Sequence, residues 1–280
     1  MLFDHFPDGC RVLGGAPFNV AWHLQAFGLS PSFISRIGDD PAGHEITALM
    51  YAWGMGRDAI QTDGEHPTGS VRVLIKNGEP HYEIVADCAY DFIAKELLKE
   101  KHTQGILYHG SLAVRNPVSL SALKATKARH QGKIFIDINL RPPWWDRASV
   151  LSLLHDADWV KLNEAELAAL CPGYNGLETT MRAFCAQFDL DILVVTCGAK
   201  GAIAYDREQF LSVQPSKHFG SRYCWRGRRF RCAVTTGIDQ AMAFRGDPRA
   251  GASVCQLFGW PTRRNRADTE FYRAFSEQWS

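Results

Sequence analysis

Short apolar runs alternate with helical segments through the middle of this chain, and that alternation restricts the folds available to it. Apolar runs occupy residues 105–109, 133–138, 159–162 and 191–196. Helical patterns lie between or after them, at residues 119–131, 148–157, 164–170 and 177–188. Strands that alternate with helices are typical of a parallel sheet. The pattern therefore predicts an α/β fold with a central, mostly parallel sheet and helices on both faces.

The first third of the chain adds helices and an antiparallel hairpin. Residues 16–29 form a helical pattern with Pro17 in the first turn and Gly28 at the end. A strand over 32–37 and a helix over 42–53 follow. Residues 69–76 and 80–85 alternate like strands, and Asn77-Gly78 between them favours a hairpin turn.

Charge and composition exclude several functional classes. The 280 residues include 31 basic and 30 acidic side chains, so a formal net charge of +1 argues against a dedicated nucleic-acid binder. No apolar stretch is long enough for a transmembrane helix, and the first ten residues lack the basic region of a signal peptide. The eight cysteines form no CxxC pair, which predicts free thiols and a cytoplasmic protein.

Two motifs near the start precede helices. Gly14-Gly15-Ala16-Pro17-Phe18-Asn19 offers close backbone approach and an amide side chain that suits a hydroxyl-rich ligand. The same residues also fit a tight turn with an ordinary helix start. Gly38-Asp39-Asp40-Pro41-Ala42-Gly43 reads as a strand-to-helix turn in which Asp40 caps the helix.

Polar residues also follow the later strands, where ligands bind in parallel α/β sheets. Asp137, Asn139 and Arg141 alternate at the end of one strand. Arg141 could pair with an anion there, or the three residues could form a salt-bridged strand end. Asn163 and Glu166 share a helix face and suit a hydrated magnesium ion with its phosphates, although a helix cap explains them equally simply.

A last motif, Thr196-Cys197-Gly198-Ala199-Lys200-Gly201, follows a buried run. A threonine and two glycines after a strand can hold phosphate oxygens or a ribose. The spacing is not that of a Walker loop.

Taken in order, these motifs resemble the signatures of the ribokinase-like (PfkB) family of sugar kinases. The first signature is matched by GGAPFNVAWHLQAFG and then GDDPAG, and the likeness covers nearly all of residues 1–215 and the tail near 268–279. The segments GGAPFN and DINLR are most similar to those of the fructokinase branch. The resemblance implies a ribokinase-like fold, a small β lid, and ATP-dependent phosphorylation of a sugar with Mg²⁺.

The resemblance also implies roles for particular residues. The residues expected to bind the sugar are Asp4, Gly14, Gly15 and Asn19. Asp137 and Arg141 are expected on the substrate side as well. Asn163, Thr196, Gly198 and Gly201 would bind the nucleotide, and Glu166 would act at the metal. Strands around 10–16 and 69–85 would form the lid of a single domain spanning 1–280, and a homodimer through that lid is expected.

The chain departs from the family pattern at two places. It opens at Met1, inside the element where the family has its first strand, which predicts a misplaced start or a truncated chain. The second family signature, Asp-Thr-x-Gly-Ala-Gly-Asp-x-Phe, is absent. Its second Asp would be the general base, and its expected place is near Arg228 and Arg229.

The segment 216–267 is aberrant in composition. Residues 216–250 carry eight basic and two acidic side chains. Reading the codons of residues 222–231 one nucleotide later permits Asp-Thr-Val-Gly-Ala-Gly-Asp-Ala-Phe, so we hypothesise a frameshift that begins between 216 and 222 and is corrected before 268. Two alternatives remain: arginines interleaved with aromatic residues that contact RNA, and a sugar-binding protein without catalysis.

Overall fold

The computed structural model describes residues 1–76, 79–99 and 104–214. These residues fall into two compact units. Those of the first unit lie within Met1–His102 and Ala113–Arg129, and those of the second lie within Thr103–Leu112 and His130–Pro261. The aberrant segment 216–267, including Arg228 and Arg229, and the Asn77-Gly78 turn lie outside the described residues.

The first unit contains a four-stranded sheet, a two-stranded sheet and three helices. The four-stranded sheet has the order β2-β1-β5-β6, and its strands are β1 Leu2–His5, β2 Arg11–Gly14, β5 Gly69–Lys76 and β6 Glu79–Ile84. β1 pairs in parallel with β5, while its pairing with β2 and that of β5 with β6 are antiparallel. The remaining elements are β3 Ser35–Gly38, β4 Ile60–Asp63, α1 Ala16–Ala26, α2 Pro41–Ala52 and α3 Pro117–Arg129.

The second unit is built on a six-stranded sheet of order β12-β11-β10-β9-β8-β7. Its strands are β7 Ile106–Gly110, β8 Lys133–Asp137, β9 Trp159–Asn163, β10 Ile192–Thr196, β11 Ala202–Tyr205 and β12 Phe210–Val213. β7 to β10 are mutually parallel, and β11 and β12 add an antiparallel edge. The helices are α4 Arg147–Leu154, α5 Glu164–Leu170 and α6 Leu177–Phe188.

Local chemistry explains where the first helix ends. Gly28 has a φ of 78°, and its N–H and that of Leu29 donate to the carbonyls of Gln25 and Leu24. This left-handed glycine terminates α1 at Ala26, so the helix expected over 16–29 is three residues shorter.

Two further elements differ from the expected bounds. The strand expected over 32–37 is found at Ser35–Gly38, where it pairs with the unpredicted β4. The helix expected over 148–157 ends at Leu154. Strands 69–76 and helices 164–170 and 177–188 have the predicted bounds.

Each unit has its own apolar core. In the first unit, Phe18 and Trp22 of α1 pack with Phe3 of β1, Ile37 of β3 and Ile46 of α2. This packing fixes α1, which begins at the paired glycines, against the strands of the unit.

In the second unit, Phe135, Trp159 and Val194 of three neighbouring parallel strands form one cluster with Ala202 and Ala204 of β11. Because side chains alternate along a strand, the polar residues two positions beyond them, Asp137, Lys161 and Thr196, share that sheet face. The core thus sets the face on which the candidate site of this unit lies.

No helix within residues 1–76, 79–99 and 104–214 is long and apolar enough to cross a membrane.

Candidate functional site

The first unit brings Asp4 and the paired glycines together. Asp4 lies in β1, paired with Val12 of β2 on one side and Val71 of β5 on the other. A Cβ atom placed on the buried Gly14 would lie 3.2 Å from Oδ2 of Asp4. The carboxylate therefore sits against bare backbone, and a larger residue at position 14 would crowd it.

Gly15 directs the chain from β2 into α1. Its φ of 108° and ψ of 125° are readily adopted only by glycine. Its carbonyl accepts the first helical hydrogen bond, from the N–H of Asn19 at 2.9 Å. The glycine pair thus fixes the start of α1 and the position of Asn19 one turn later.

Asn19 presents a buried acceptor. Its Oδ1 atom is shielded from solvent and has no hydrogen-bond partner among the described residues. A buried carbonyl oxygen without a donor costs about 1–3 kcal/mol, so such atoms in folded proteins call for an explanation. A ligand hydroxyl group would supply the donor.

In the second unit, Asp137 is held by two neighbours on the same sheet face. Its Oδ1 accepts from Nζ of Lys161 at 2.7 Å, and its Oδ2 accepts from the Tyr108 hydroxyl at 3.1 Å. Asp137 and Lys161 are direct cross-strand partners. The strand end is therefore salt-bridged, as one of the two interpretations expected, while Arg141 is exposed in the following loop.

Asn163 and Glu166 form a reciprocal helix cap. Asn163 Oδ1 accepts from the N–H of Glu166, and Glu166 Oε2 accepts from the N–H of Asn163, both at 2.9 Å. Oε1 of Glu166 accepts from the N–H of Leu140 at 3.0 Å, which ties the loop after β8 to the start of α5. The cap interpretation is confirmed: Oε2 of Glu166 takes part in the cap, while Oε1 binds the loop after β8.

Burial dominates the electrostatics of Glu166. Burial raises the pKa of this carboxyl, and the charge of Asp137 adds to that effect. The amide donors of Asn163 and Leu140 and the charge of Lys161 act in the opposite direction without cancelling it.

The loop after β10 places Thr196 beside Asn163. The two residues are cross-strand partners at the carboxyl ends of β10 and β9. Gly198 has a φ of 56°, and a Cβ atom there would meet no atom of the described residues within 4 Å. Gly201 has a φ of 115°, and a Cβ atom there would collide with the carbonyl oxygen of Val213 in β12.

The two glycines of this loop therefore differ. Gly201 is required because the backbone of β12 passes directly over it, which is a packing role. Gly198 borders open space, where a ligand can approach the backbone.

Sequence reasoning missed Lys161, Tyr108 and Thr68. Lys161 and Tyr108 contact Asp137 across neighbouring strands, so only the register of the sheet reveals them. Thr68 contacts Asp40 at the motif 38–43. The signal available for Lys161 was its position two residues before Asn163, on the same face of the strand.

Among the described residues, no group of three or more His, Cys, Asp or Glu side chains is arranged to hold a metal ion. The expected position of the general base, near Arg228 and Arg229, lies beyond the part of the chain that the structure describes. The roles assigned to individual residues remain predictions.

Comparison with known proteins gives a family and a set of relatives. A family model described as pfkB family carbohydrate kinase matches residues 6–218. Fructokinase-2 of Oryza sativa subsp. japonica is 28% identical over 232 residues, which are 74% of this chain and 68% of that protein. Fructokinase of Escherichia coli is 29% identical over 238 residues, 81% of this chain and 73% of that protein.

The chain spans less than two thirds of the length of several other curated relatives. Among solved structures, a fructokinase of Vibrio cholerae O395 in its fructose-, ADP- and calcium-bound form is 26% identical, with a TM-score of 0.68. That match covers 77% of this chain and 74% of the other. The ribokinase-like α/β fold is thus confirmed, as is the resemblance to fructokinases.

Proposed function

We propose, from the premise that this chain belongs to the pfkB family of carbohydrate kinases, that it transfers the γ-phosphoryl group of ATP to a hydroxyl group of fructose. The observation that carries the sugar side is the Asn19 carboxamide oxygen, which is buried and lacks a hydrogen-bond partner within the described residues. Fructose offers hydroxyl donors to such an acceptor, and the family relation makes a sugar the natural ligand.

Asp4 and the glycine pair complete the proposed sugar site. A carboxylate accepts two sugar hydroxyl groups at once, and hydrogen bonds to a charged group are worth about 1.5–3 kcal/mol. The Asp4 carboxylate lies against the backbone of Gly14, and Gly15 directs α1 so that Asn19 follows. The proposal assigns hydroxyl recognition to Asp4 and Asn19 and backbone access to the glycines. Asp137 and Arg141 stay proposed substrate-side residues.

ATP is the proposed phosphoryl donor. Asn163 and Thr196 end neighbouring parallel strands, which is where ligands bind in open α/β sheets. The open space at Gly198 supports backbone contact with the nucleotide. Gly201 supports the nucleotide site by shaping the loop.

Magnesium is proposed as the accompanying ion. Mg²⁺ in kinases is held by one or two protein groups together with substrate phosphates and water. Each Glu166 oxygen accepts one amide hydrogen bond and keeps a second lone pair, so Glu166 fits contact through a metal-bound water. The bound ion would neutralise charge on the phosphates.

A second candidate function is sugar binding without catalysis. The family's general base removes the proton of the sugar hydroxyl, and its anion hole stabilises the transferred group. Arg228 and Arg229 stand at the expected position of the base, and an arginine cannot accept a proton at working pH. This sequence observation favours impaired catalysis in the chain as written. Its basic segment is not proposed to bind nucleic acid.

A homodimer through the four-stranded sheet is also proposed. Ile75 of β5 and Tyr82 of β6 are exposed apolar side chains on one face of this sheet. A partner subunit would cover them, in keeping with the lid role expected for these strands.

The cytoplasm is the proposed location. The described residues contain five free cysteines, of which Cys88, Cys171, Cys185 and Cys197 are buried. Free thiols persist in a reducing compartment.

The test combines calorimetry with a phosphorylation assay on the full chain. We expect fructose to bind at least about tenfold more tightly than glucose, because a site built on directed hydrogen bonds discriminates between hydroxyl patterns. Binding with ATP-dependent phosphorylation supports the kinase. Binding without phosphorylation supports the second candidate. Absence of fructose binding contradicts both.

A further inference from the structure

The motif 38–43 forms a compact hydrogen-bonded cluster around the Asp40 carboxylate. Oδ1 of Asp40 accepts from the N–H of Gly43 and from the Thr68 hydroxyl, both at 2.7 Å, and Oδ2 accepts from the N–H of Thr68 at 2.8 Å. The Thr68 hydroxyl in turn accepts from the N–H of Gly38 at 3.0 Å. One carboxylate thus caps α2 and also holds a residue 28 positions away.

The two glycines of the motif are required by this cluster. A Cβ atom on Gly38 would lie 2.6 Å from Oδ2 of Asp40 and 2.7 Å from the backbone nitrogen of Thr68. A Cβ atom on Gly43 would collide with the carbonyl oxygen of Gly38. The backbones approach too closely for any other residue, so the cluster has little room to shift.

Thr68 is the residue immediately before β5. β5 pairs in parallel with β1, with Gly69 opposite Leu2 and Val71 opposite Asp4. Gly69 is itself packed against the Tyr90 ring, since a Cβ atom there would lie 2.7 Å from Cε1 of Tyr90. The strand that carries Asp4 is therefore aligned against a strand whose first residues are held on both sides.

We infer that the Asp40–Thr68 contact is a positioning element of the sugar site, which fixes the start of β5 and thereby the placement of Asp4 in β1. This inference rests on the proposed function, since it takes Asp4 to bind the sugar. β1, which carries Asp4, pairs with β5 on one side and with β2, which ends at Gly14, on the other. A shift at the start of β5 therefore changes the position of Asp4 relative to Gly14. The inferred role of Asp40 and Thr68 is indirect and acts through β5.

The charge of Asp40 supports the arrangement. Burial opposes ionisation of this carboxyl, but the donors from Thr68 and Gly43 outweigh burial and hold its pKa below the ordinary value. The ionised carboxylate, with its three acceptor contacts, is the form that the folded protein favours.

The test measures fructose binding by calorimetry for Thr68→Val and Thr68→Ser in the full chain. Thr68→Val keeps the shape but removes the hydroxyl, and we expect its fructose Kd to rise about tenfold. Thr68→Ser retains the hydroxyl and should stay within about threefold of the unaltered chain. The difference between the two variants isolates the Thr68 hydroxyl, which donates to Asp40 and accepts from the N–H of Gly38.

A matched control separates positioning from loss of stability. Asp146 caps α4 in the other unit, where its Oδ1 accepts from the N–H of Ser149 at 2.9 Å. Asparagine caps helices about as well as aspartate, so Asp40→Asn and Asp146→Asn both keep the cap and remove its charge. Only Asp40→Asn also replaces the oxygen that accepts from the N–H of Thr68, so only Asp40→Asn should raise the fructose Kd. An equal effect of the two substitutions on Kd, after matching for melting temperature, overturns the inference.

Amide hydrogen exchange provides a readout that needs no sugar. Thr68→Val should increase exchange in residues 2–5 of β1, and Thr68→Ser should not. Unchanged β1 exchange together with an unchanged Kd in Thr68→Val overturns the positioning role alone. Failure of the unaltered chain to bind fructose overturns the proposed function and, with it, the role of Asp40 in sugar binding.

Discussion

The candidate polar residues of the first unit and those of the second unit are used differently by the fold. In the first unit, Asn19 Oδ1 is buried without a partner among the described residues. In the second unit, both oxygens of Glu166 accept backbone donors, and Asp137 is held by Lys161 and Tyr108. Substitution of Asn19 should therefore appear as lost fructose affinity without lost stability, whereas substitution of Glu166 or Asp137 should also lower stability.

The largest expected effect concerns the missing second signature. Restoring the reading frame, so that the segment from residue 222 reads Asp-Thr-Val-Gly-Ala-Gly-Asp-Ala-Phe, should raise kcat for fructose by about 100-fold or more. A general base contributes about 10²–10⁴ in rate, and an anion hole roughly 10²–10³, although such groups do not act additively. The measurement is ATP-dependent turnover of the restored and unaltered proteins.

Fructose affinity, measured on the same two proteins, is the control for that experiment. The sugar site of the first unit is unchanged, so Kd for fructose should agree within about threefold. Turnover by the unaltered chain within about tenfold of the restored protein would show that the base was placed wrongly.

Asp4→Ala should have the next largest effect. Loss of a charged hydrogen bond costs about 1.5–3 kcal/mol, which corresponds to roughly a ten- to 100-fold rise in the fructose Kd. Asp8→Ala is the matched control, because Asp8 is an exposed carboxylate of the same unit whose Oδ1 accepts from the N–H of Cys10. Calorimetry that finds equal affinities for both variants removes Asp4 from the site.

Asn19→Leu should lower the affinity for fructose without lowering the stability of the protein. Replacing an unpartnered buried acceptor with an apolar group is nearly neutral or stabilising, so the melting temperature should not fall. The fructose Kd should rise about three- to tenfold. Asn116→Leu is the contrast, because Asn116 Oδ1 accepts from the N–H of Val118 and its loss should cost stability without changing affinity. A destabilised Asn19→Leu with normal affinity would reverse the comparison.

The smallest effect is a difference in pH dependence between the units. The pKa of Glu166 is raised in the folded state, so its contribution to stability is present below about 4.5 and is lost as pH rises through the folded pKa. The pKa of Asp40 is lowered, so its contribution is present above about 3.8 and is lost as pH falls through the folded pKa.

Thermal unfolding between pH 3 and pH 7 checks that contrast. The melting-temperature difference between the unaltered chain and Glu166→Gln should shrink as pH rises, whereas the difference for Asp40→Asn should shrink as pH falls. Each hydrogen-bonded group is worth about 1 kcal/mol, or roughly 2–4 °C. If the melting-temperature differences of the two variants changed with pH in the same direction, the opposite pKa shifts of Glu166 and Asp40 would be contradicted.

Local patterns were sufficient for the elements that carry their own start and stop signals. Helix 164–170 has predicted bounds because Asn163 and Glu166 cap it, and strand 69–76 alternates along its whole length. Strand β4 was missed because Ile60–Asp63 is short and lacks a clear period, so it depends on its pairing with β3. Where a strand is stabilised mainly by pairing with a neighbouring strand, its own sequence gives little indication that it is a strand.

The candidate site shows the same limit. Gly15 and Asn19 could be singled out from their motif, because φ-positive glycines and helix starts leave a sequence signature. Asp4 was expected only from the family resemblance. The Lys161 contact with Asp137 joins residues 24 apart and depends on sheet register. The packing role of Gly201 depends on β12 passing over it, which no property of the motif at 196–201 reveals.

Two stacked indole rings give the first unit an optical consequence. Trp22 of α1 and Trp53 at the end of α2 lie with ring centroids 4.9 Å apart and ring planes 4° from parallel, and Nε1 of Trp53 donates to the carbonyl of Trp22. Indoles this close exchange excitation and produce coupled circular-dichroism bands in the ultraviolet. The helix that carries Asn19 therefore bears its own chromophore pair, whose dichroic signal disappears when α1 separates from α2.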